Sequence, residues 1–141
     1  MFRKKSNLGK SVEKFESIIG ASLRIQGDLV ATSSVRIDGA VNGNILQSES
    51  HGATVAVAIG ATITGNIAAS DVIVSGTVCG DIVATGRVEV VDSAKVQGNI
   101  TYGSIGVAPG ARIIGQLSQI DEDAQMSAAQ AIGKAAKSVE N

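Results

Sequence analysis

The stretch Val78-Cys79-Gly80-Asp81-Ile82 sets a pattern that the rest of the chain repeats. It reads as an apolar residue, any residue, glycine, a small acid or amide, and then isoleucine or leucine. The same pattern returns five more times, at residues 25–29, 41–45, 63–67, 96–100 and 113–117. A unit this short and this frequent is typical of a solenoid, in which each repeat buries its apolar side against the next repeat.

The spacings between the six pattern glycines are 16, 22, 15, 18 and 17 residues, and most of this variation has one cause. Two repeats connect their apolar residues through a short corner, at 37–41 and 74–78. Three others use a corner that is longer by two residues, at 57–63, 90–96 and 107–113. An even number of extra residues preserves the inward and outward alternation of side chains. The one spacing that still stands out predicts an insertion of about four or five residues within 46–53.

The composition favours strands. Aromatic residues make up 2% of the chain, so the core must be built from Val, Ile, Leu and Ala, which recur here with period two. We expect three strands of about five or six residues in each turn, with successive turns about 4.8 Å apart. The sequence therefore predicts a single-domain, all-β parallel solenoid of about six turns over residues 18–120. One inward column of this solenoid should contain Val41, Ile63, Val78, Val96 and Ile113. Residues 1–17 and 121–141 are predicted to be flexible tails, with a possible short amphipathic helix over 8–19.

A polar column should follow the glycines, because the acid or amide of each pattern would stack on the next. We expect the amides to donate to one neighbour and accept from the other, as a structural ladder rather than a ligand site. The column consists of Asp28, Asn44, Asn66, Asp81, Asn99 and Gln116.

Several function classes are disfavoured. The formal net charge of −1 argues against nucleic acid as a partner, and no phosphate-binding loop motif indicates a nucleotide. Cys79 is the single cysteine and His51 the single histidine, so we expect no intrachain disulfide, metal site or cofactor. Because no apolar run is long enough to span a bilayer and no signal peptide is evident, a cytoplasmic location is expected.

The repeats taken together resemble the bactofilins, which are bacterial cytoskeletal proteins. The resemblance is carried most clearly by residues 35–45, 72–82 and 94–100, whereas Gln47 to Gly52 departs from the usual rung length. It implies a right-handed parallel β-helix that polymerises without nucleotide. It also implies a scaffold that recruits cell-wall or morphogenetic proteins at the inner membrane.

The start of the chain resembles the short membrane-targeting peptide of many bactofilins. That peptide would be Met1, Phe2, Arg3, Lys4 and Lys5. The resemblance implies a peripheral position on the cytoplasmic face of the inner membrane, with anionic lipid as a partner.

The two ends of a solenoid leave open strand edges, and the last pattern is followed by acidic and Ala-rich sequence without an evident cap. Joining end to end hides both edges and, when repeated, gives a filament. The residues predicted to mediate this self-association are Leu23, Ile25 and Leu29 in the first turn and Ile105, Val107, Ile113 and Leu117 in the last.

The alternative is a left-handed β-helix enzyme of the acyltransferase or carbonic anhydrase kind, whose turn has a similar length. Such coils need an apolar residue at every sixth position, whereas the apolar period here is two. His51 alone cannot provide a zinc site, and no orienting partner for a general base is repeated in the sequence. A structural, self-associating protein is therefore the preferred interpretation.

Overall fold

The computed structural model describes residues 16–47 and 53–120, and within these ranges it consists of eighteen strands and no helix. Three successive strands form one turn, here called a rung, and there are six rungs. Their strands are β1 (Ser17–Ile19), β2 (Arg24–Gln26), β3 (Leu29–Ala31), β4 (Val35–Ile37), β5 (Ala40–Asn42), β6 (Ile45–Gln47), β7 (Thr54–Val57), β8 (Thr62–Thr64), β9 (Ile67–Ala69), β10 (Asp71–Val74), β11 (Thr77–Cys79), β12 (Ile82–Ala84), β13 (Arg87–Val90), β14 (Lys95–Gln97), β15 (Ile100–Tyr102), β16 (Ser104–Val107), β17 (Arg112–Ile114) and β18 (Leu117–Gln119).

The strands assemble into three six-stranded sheets, each of which takes one strand from every rung in chain order. Every pairing is parallel. Face one begins with β1 and ends with β16, face two runs from β2 to β17, and face three from β3 to β18. The predicted all-β parallel solenoid of six turns is confirmed.

One inward column shows how the period-two pattern builds the core. The middle residue of each face-two strand pairs with the middle residue of the next, as Val78 does with Ile63 and Val96. These three side chains are fully buried, while the flanking residues of β11 are half-exposed. The column predicted from the sequence is therefore confirmed, and it contains Val41, Ile63, Val78, Val96 and Ile113. Branched side chains suit these positions because they pack well on a pleated surface.

Two local predictions are wrong. The strands have three or four residues rather than five or six, because the corners use the remainder of each rung. The helix predicted over 8–19 does not extend to its last three residues, because 17–19 form β1 and Ile19 pairs with Ile37. The backbone N–H of Asp38 donates to Ile19 O at 2.8 Å, which ties this strand into the sheet. Of the predicted helix and the two predicted tails, the structure describes only Glu16 and the residues of β1. All their other residues lie outside the described ranges.

The first corner, between faces one and two, has either two or four residues. In a long corner the last residue donates to the carbonyl three residues earlier, as Ala61 does to Ala58 at 3.0 Å. Leu23 makes the same bond to Gly20 at 3.1 Å, so the first rung also has a long corner, which the sequence prediction missed. The short corners need glycine, because a Cβ on Gly39 would lie 2.3 Å from Leu23 O.

The second corner, between faces two and three, holds the pattern glycines. Gly80 has a φ of 152°, which L side chains rarely adopt. A Cβ on Gly80 would also lie 2.0 Å from Gly65 O in the rung before it. Glycine is therefore required both by the backbone conformation and by the close approach of successive rungs.

The insertion predicted within 46–53 lies at the third corner, between faces three and one. Six residues separate β6 from β7, whereas one to three residues separate the strands at this corner in the other rungs. Gln47 is buried beside the insertion, and its Oε1 accepts hydrogen bonds from Ala53 N at 3.2 Å and Ser70 N at 2.7 Å. These two hydrogen bonds satisfy the buried oxygen, and the bond from Ala53 connects the two ends of the longer corner. Residues 48–52 of the insertion lie outside the described part.

Candidate self-association surfaces

The first rung (β1 to β3) and the last rung (β16 to β18) provide the edge strands of all three sheets. We call these two the end rungs. A strand inside a sheet pairs on both sides, whereas an edge strand keeps one side of backbone N–H and C=O groups without a strand partner. Both ends of the solenoid therefore present backbone hydrogen-bonding groups on all three sides of the core.

The apolar columns of the core continue into the end rungs, where their exposure rises. Val107 is 47% exposed and Leu117 45%, whereas their partners Val90 and Ile100 in the preceding rung are 1% and 0% exposed. Each pair consists of aliphatic residues in register, so the difference in exposure arises because no further strand of the described chain stacks on the last rung. Each end therefore exposes a cross-section of the core.

The structure places all seven residues predicted for self-association on the end rungs, at two opposite ends of the solenoid. Leu23 is 50% exposed in the first corner. Ile25 and Leu29 at the first end, and Ile105 and Ile113 at the last, are half-buried and pack against the core cluster. Their part in self-association stays a prediction.

The sequence prediction missed three apolar residues of the end rungs. Ile19 continues the column of Ile37 and packs against the core, and Ile18 beside it is 64% exposed. Both residues lie within the helix predicted over 8–19, although Ile19 precedes its column partner Ile37 by about one rung length. Ile120, immediately after β18, is buried and donates its backbone N–H to Tyr102 O at 2.8 Å.

The polar column is a ladder, but its hydrogen bonds differ from those predicted. Each side-chain oxygen accepts from the backbone N–H of the equivalent residue in the next rung, as Asn66 Oδ1 does from Asp81 N at 2.9 Å. The other four steps span 2.8 to 3.0 Å. Because only an acceptor oxygen is used, aspartate serves as well as asparagine.

The charged groups are unevenly placed on the three faces. Face one carries both ion pairs of the described residues, between Arg36 and Asp38 at 2.7 Å and between Arg87 and Glu89. Gly106 leaves room for the second pair, because a Cβ there would lie 2.6 Å from Arg87 Nη2. The remaining cations of the described part, Arg24, Lys95 and Arg112, project from face two.

The predicted membrane-targeting residues Met1, Phe2, Arg3, Lys4 and Lys5 lie outside the described residues, as does His51. Within the described ranges, no cluster of three or more His, Cys, Asp or Glu side chains is placed to bind a metal ion. The same ranges contain no helix long and apolar enough to cross a membrane.

The comparisons with known proteins agree on one family. The family model described as "Bactofilin: Polymer-forming cytoskeletal" matches residues 17–118. Bactofilin BacO of Myxococcus xanthus is 31% identical over 101 residues, which are 72% of this chain and 77% of that protein. Bactofilin BacP of the same organism is 29% identical over 105 residues, 74% of this chain but 42% of the length of BacP. No solved structure matches the chain.

The family match and the solenoid have almost the same bounds. The match begins with β1 and ends inside β18, so it covers the stacked rungs and both exposed ends of the core. Polymer formation is the property that the family's description names, and two open solenoid ends are a structure that permits it. This chain therefore belongs to the bactofilin family of polymer-forming cytoskeletal proteins.

Proposed function

We propose that the chain assembles end to end through its end rungs into filaments that need no nucleotide. The observation that carries this proposal is the exposure of the core columns at the end rungs. At the last end it rises from 1% at Val90 to 47% at Val107, and at the first end Ile25 is half-buried whereas its partner Val41 is fully buried. Stacking of another subunit would bury these side chains and pair the edge strands. The lack of a phosphate-binding loop motif in the sequence supports independence from nucleotide.

The energetics of a junction favour assembly. Three edge strands from each subunit can form about ten backbone hydrogen bonds, at about 0.5 to 1.5 kcal/mol each. Burial of the exposed apolar side chains adds about 25 cal/mol for each Å² removed from water. Together these terms can exceed an association cost of about 4 to 15 kcal/mol.

Negative-stain microscopy and sedimentation of the purified protein without nucleotide test the proposal. We expect filaments for the unmodified chain and short oligomers or monomers for Leu117→Asp, which places a charge in the last rung. Ile59→Asp is the matched control, because Ile59 is 75% exposed in the first corner of the third rung, away from both ends. A monomer at tens of micromolar protein in physiological salt, or equal loss of filaments in both variants, would contradict end-to-end assembly.

The filaments are further proposed to lie on the cytoplasmic face of the inner membrane. The support comes from the first residues, which combine the apolar pair Met1 and Phe2 with the cations Arg3, Lys4 and Lys5. An apolar side chain beside several cations fits an anionic bilayer surface. At this location the filament would act as a scaffold for cell-wall or morphogenetic proteins, as the family resemblance implies.

A structural role is favoured over the left-handed β-helix enzyme that the sequence left as an alternative. Membership of a polymer-forming cytoskeletal family supports this preference. The unequal first corners, with two residues in some rungs and four in others, also differ from the uniform six-residue period of such enzymes.

A further inference from the structure

Face two presents its outward side chains in two columns, each with one residue from every rung. The outward residues are those on either side of the buried column residue in each of its six strands, and the strands pair without a shift of register. One column contains Arg24, Ala40, Thr62, Thr77, Lys95 and Arg112. The other contains Gln26, Asn42, Thr64, Cys79, Gln97 and Ile114.

These twelve positions include three cations and no acid. The acids in the two corners that border the face are Asp38 and Asp92 in the first corner and Asp28 and Asp81 in the second, and Asp38 is paired with Arg36. Neither ion pair of the described residues includes a face-two cation. Face three carries no charge at its outward positions, and the two cations of face one are paired. Among the residues that the structure describes, the cations outside the two ion pairs are therefore all on face two.

Two of the face-two cations lie directly beside each other. Lys95 pairs with Arg112 on the next strand, about 4.8 Å away, and like charges in that position are destabilising. The polar ladder avoids this arrangement. In the polar ladder two amide rungs, Asn44 and Asn66, separate the carboxylates of Asp28 and Asp81. The stacked cations therefore indicate an anionic partner outside the described residues.

The shape of the face favours a planar partner. The strands are stacked in register, the side chains between the cations are small or polar, and the corners at both borders have two to four residues. Because the cations occupy the first, fifth and sixth rungs, end-to-end assembly would bring the charges of both end rungs together at every junction. A plane can touch such a row along the whole filament, whereas a compact acidic protein would contact only a part of it.

We propose that face two is the side of the filament that lies on an anionic lipid bilayer, with Arg24, Lys95 and Arg112 contacting the headgroups. The inference rests on the proposed filament and its proposed membrane binding, and it adds the orientation. Each Lys or Arg close to an anionic leaflet raises affinity about fivefold, so the loss of two should weaken binding about 30-fold for each subunit.

Co-sedimentation with vesicles of phosphatidylglycerol at low salt tests the charge requirement. The variant Lys95→Gln/Arg112→Gln is compared with Arg36→Gln/Arg87→Gln, which removes two cations from face one and causes the same change in net charge. Both variants keep residues 1–5, and microscopy checks that both form filaments. We expect the half-saturating lipid concentration to rise at least about 30-fold for the face-two variant and less than about threefold for the face-one variant.

Thiol footprinting tests the orientation directly, because the only cysteine, Cys79, is half-buried on face two. On vesicle-bound filaments, modification of Cys79 by a water-soluble maleimide should slow at least tenfold relative to free filaments. In the control variant Cys79→Ser/Ala56→Cys the thiol is at an outward position of face one, and its rate should change little.

The outcomes separate this inference from the proposed function. If wild-type filaments do not bind the vesicles, membrane association and the inference both fail. A second outcome is that wild-type filaments bind the vesicles and that deletion of residues 2–5 weakens this binding, while Lys95→Gln/Arg112→Gln binds normally. In that case only the inference fails, and an acidic protein becomes the expected partner of the face-two cations. Equal weakening by both double variants, or protection of the thiol at position 56 rather than Cys79, also overturns it.

Discussion

At the scale of single residues, the rung pattern combines a glycine that permits close stacking with an acceptor that joins neighbouring rungs. Gly80 lets one rung approach the next, and the following Asp81 accepts a hydrogen bond from Asn99 N at 2.9 Å. Because the glycine allows two rungs to lie close together, the side-chain oxygen of the acid or amide can reach the backbone N–H of the next rung. The two requirements explain why these residue types occur together in every repeat, while the residue before the glycine varies freely on the outer surface.

Gly80→Ala should destabilise the solenoid strongly. The new methyl group would lie 2.0 Å from Gly65 O, and the alanine backbone would have to keep a φ of 152°. Together these two effects should lower the free energy of unfolding by about 2 to 6 kcal/mol. Gly60→Ala is the control, because Gly60 also has a positive φ, of 89°, but nothing lies within 4 Å of its Cβ position. It should cost about 1 to 2 kcal/mol.

The measurement is denaturant unfolding followed by circular dichroism, with both glycine variants made in the Leu117→Asp chain so that assembly does not contribute. Equal losses in the free energy of unfolding would show that backbone conformation, and not the close approach of rungs, requires the glycine.

Asp81→Asn should leave the free energy of unfolding within about 0.5 kcal/mol of the wild type, because the amide keeps the acceptor oxygen that Asn99 N uses. Asp81→Leu removes the acceptor and should cost about 0.5 to 1.5 kcal/mol in the same unfolding assay. A large loss for Asp81→Asn would show that the negative charge, rather than the acceptor, is what position 81 contributes.

At the scale of elements, each strand is too short to be stable alone and depends on its column. Strand β11 has three residues, of which Val78 is fully buried while Thr77 and Cys79 are half-exposed. Its stability comes from parallel pairing with β8 and β14 and from the stacked apolar column. The middle residue of such a strand should therefore be far less tolerant of charge than its neighbours.

Val78→Asp should prevent folding or give insoluble protein, because it places an unpaired charge inside the column at a cost of several kcal/mol. Thr77→Asp changes the adjacent residue on the same strand but projects outward, so it should remain soluble and folded. Soluble yield and the circular dichroism spectrum compare the two variants. A folded, soluble Val78→Asp protein would contradict the inward assignment of this column.

At the scale of the whole molecule, the proposed membrane binding combines the proposed end-to-end assembly with the apolar and basic residues at the start of the chain. Burying Phe2 can contribute about 1.5 to 3 kcal/mol, and the three following cations about 1 kcal/mol each near an anionic leaflet. The sum of about 5 kcal/mol corresponds to a dissociation constant of about 0.1 to 1 mM for one subunit. A filament carries many such segments, which can raise avidity by about two to four orders of magnitude.

Vesicle binding should therefore depend on assembly. Leu117→Asp keeps the N-terminal residues but should lose co-pelleting with anionic vesicles, whereas Phe2→Ala should weaken co-pelleting and leave filaments intact. Binding by the wild type should fall as salt rises, because the Debye length is already about 8 Å at physiological ionic strength. Equal binding by the wild type and Leu117→Asp would show that avidity plays no part.

Much of this solenoid follows from the sequence alone. The repeated pattern predicted the rungs, the inward column through Val78 and the insertion after Leu46, because each of these depends on periodicity and corner residues within a short stretch of chain. The same reasoning predicted apolar residues such as Leu117 at the last end, since they belong to the last copy of the pattern.

The tertiary structure decided the properties that depend on which rung lies beside which. Partners in the polar ladder are 15 to 22 residues apart, and only the winding shows that an oxygen of one rung accepts from the backbone of the next. Ile19 is a second example. The sequence places it in a predicted helix, and its strand pairing with Ile37 becomes visible only when the two rungs lie side by side. The position on face two of every described cation outside the two ion pairs likewise depends on the register of six strands. Arg24 and Arg112 are far apart in sequence and share a side only after the chain has wound.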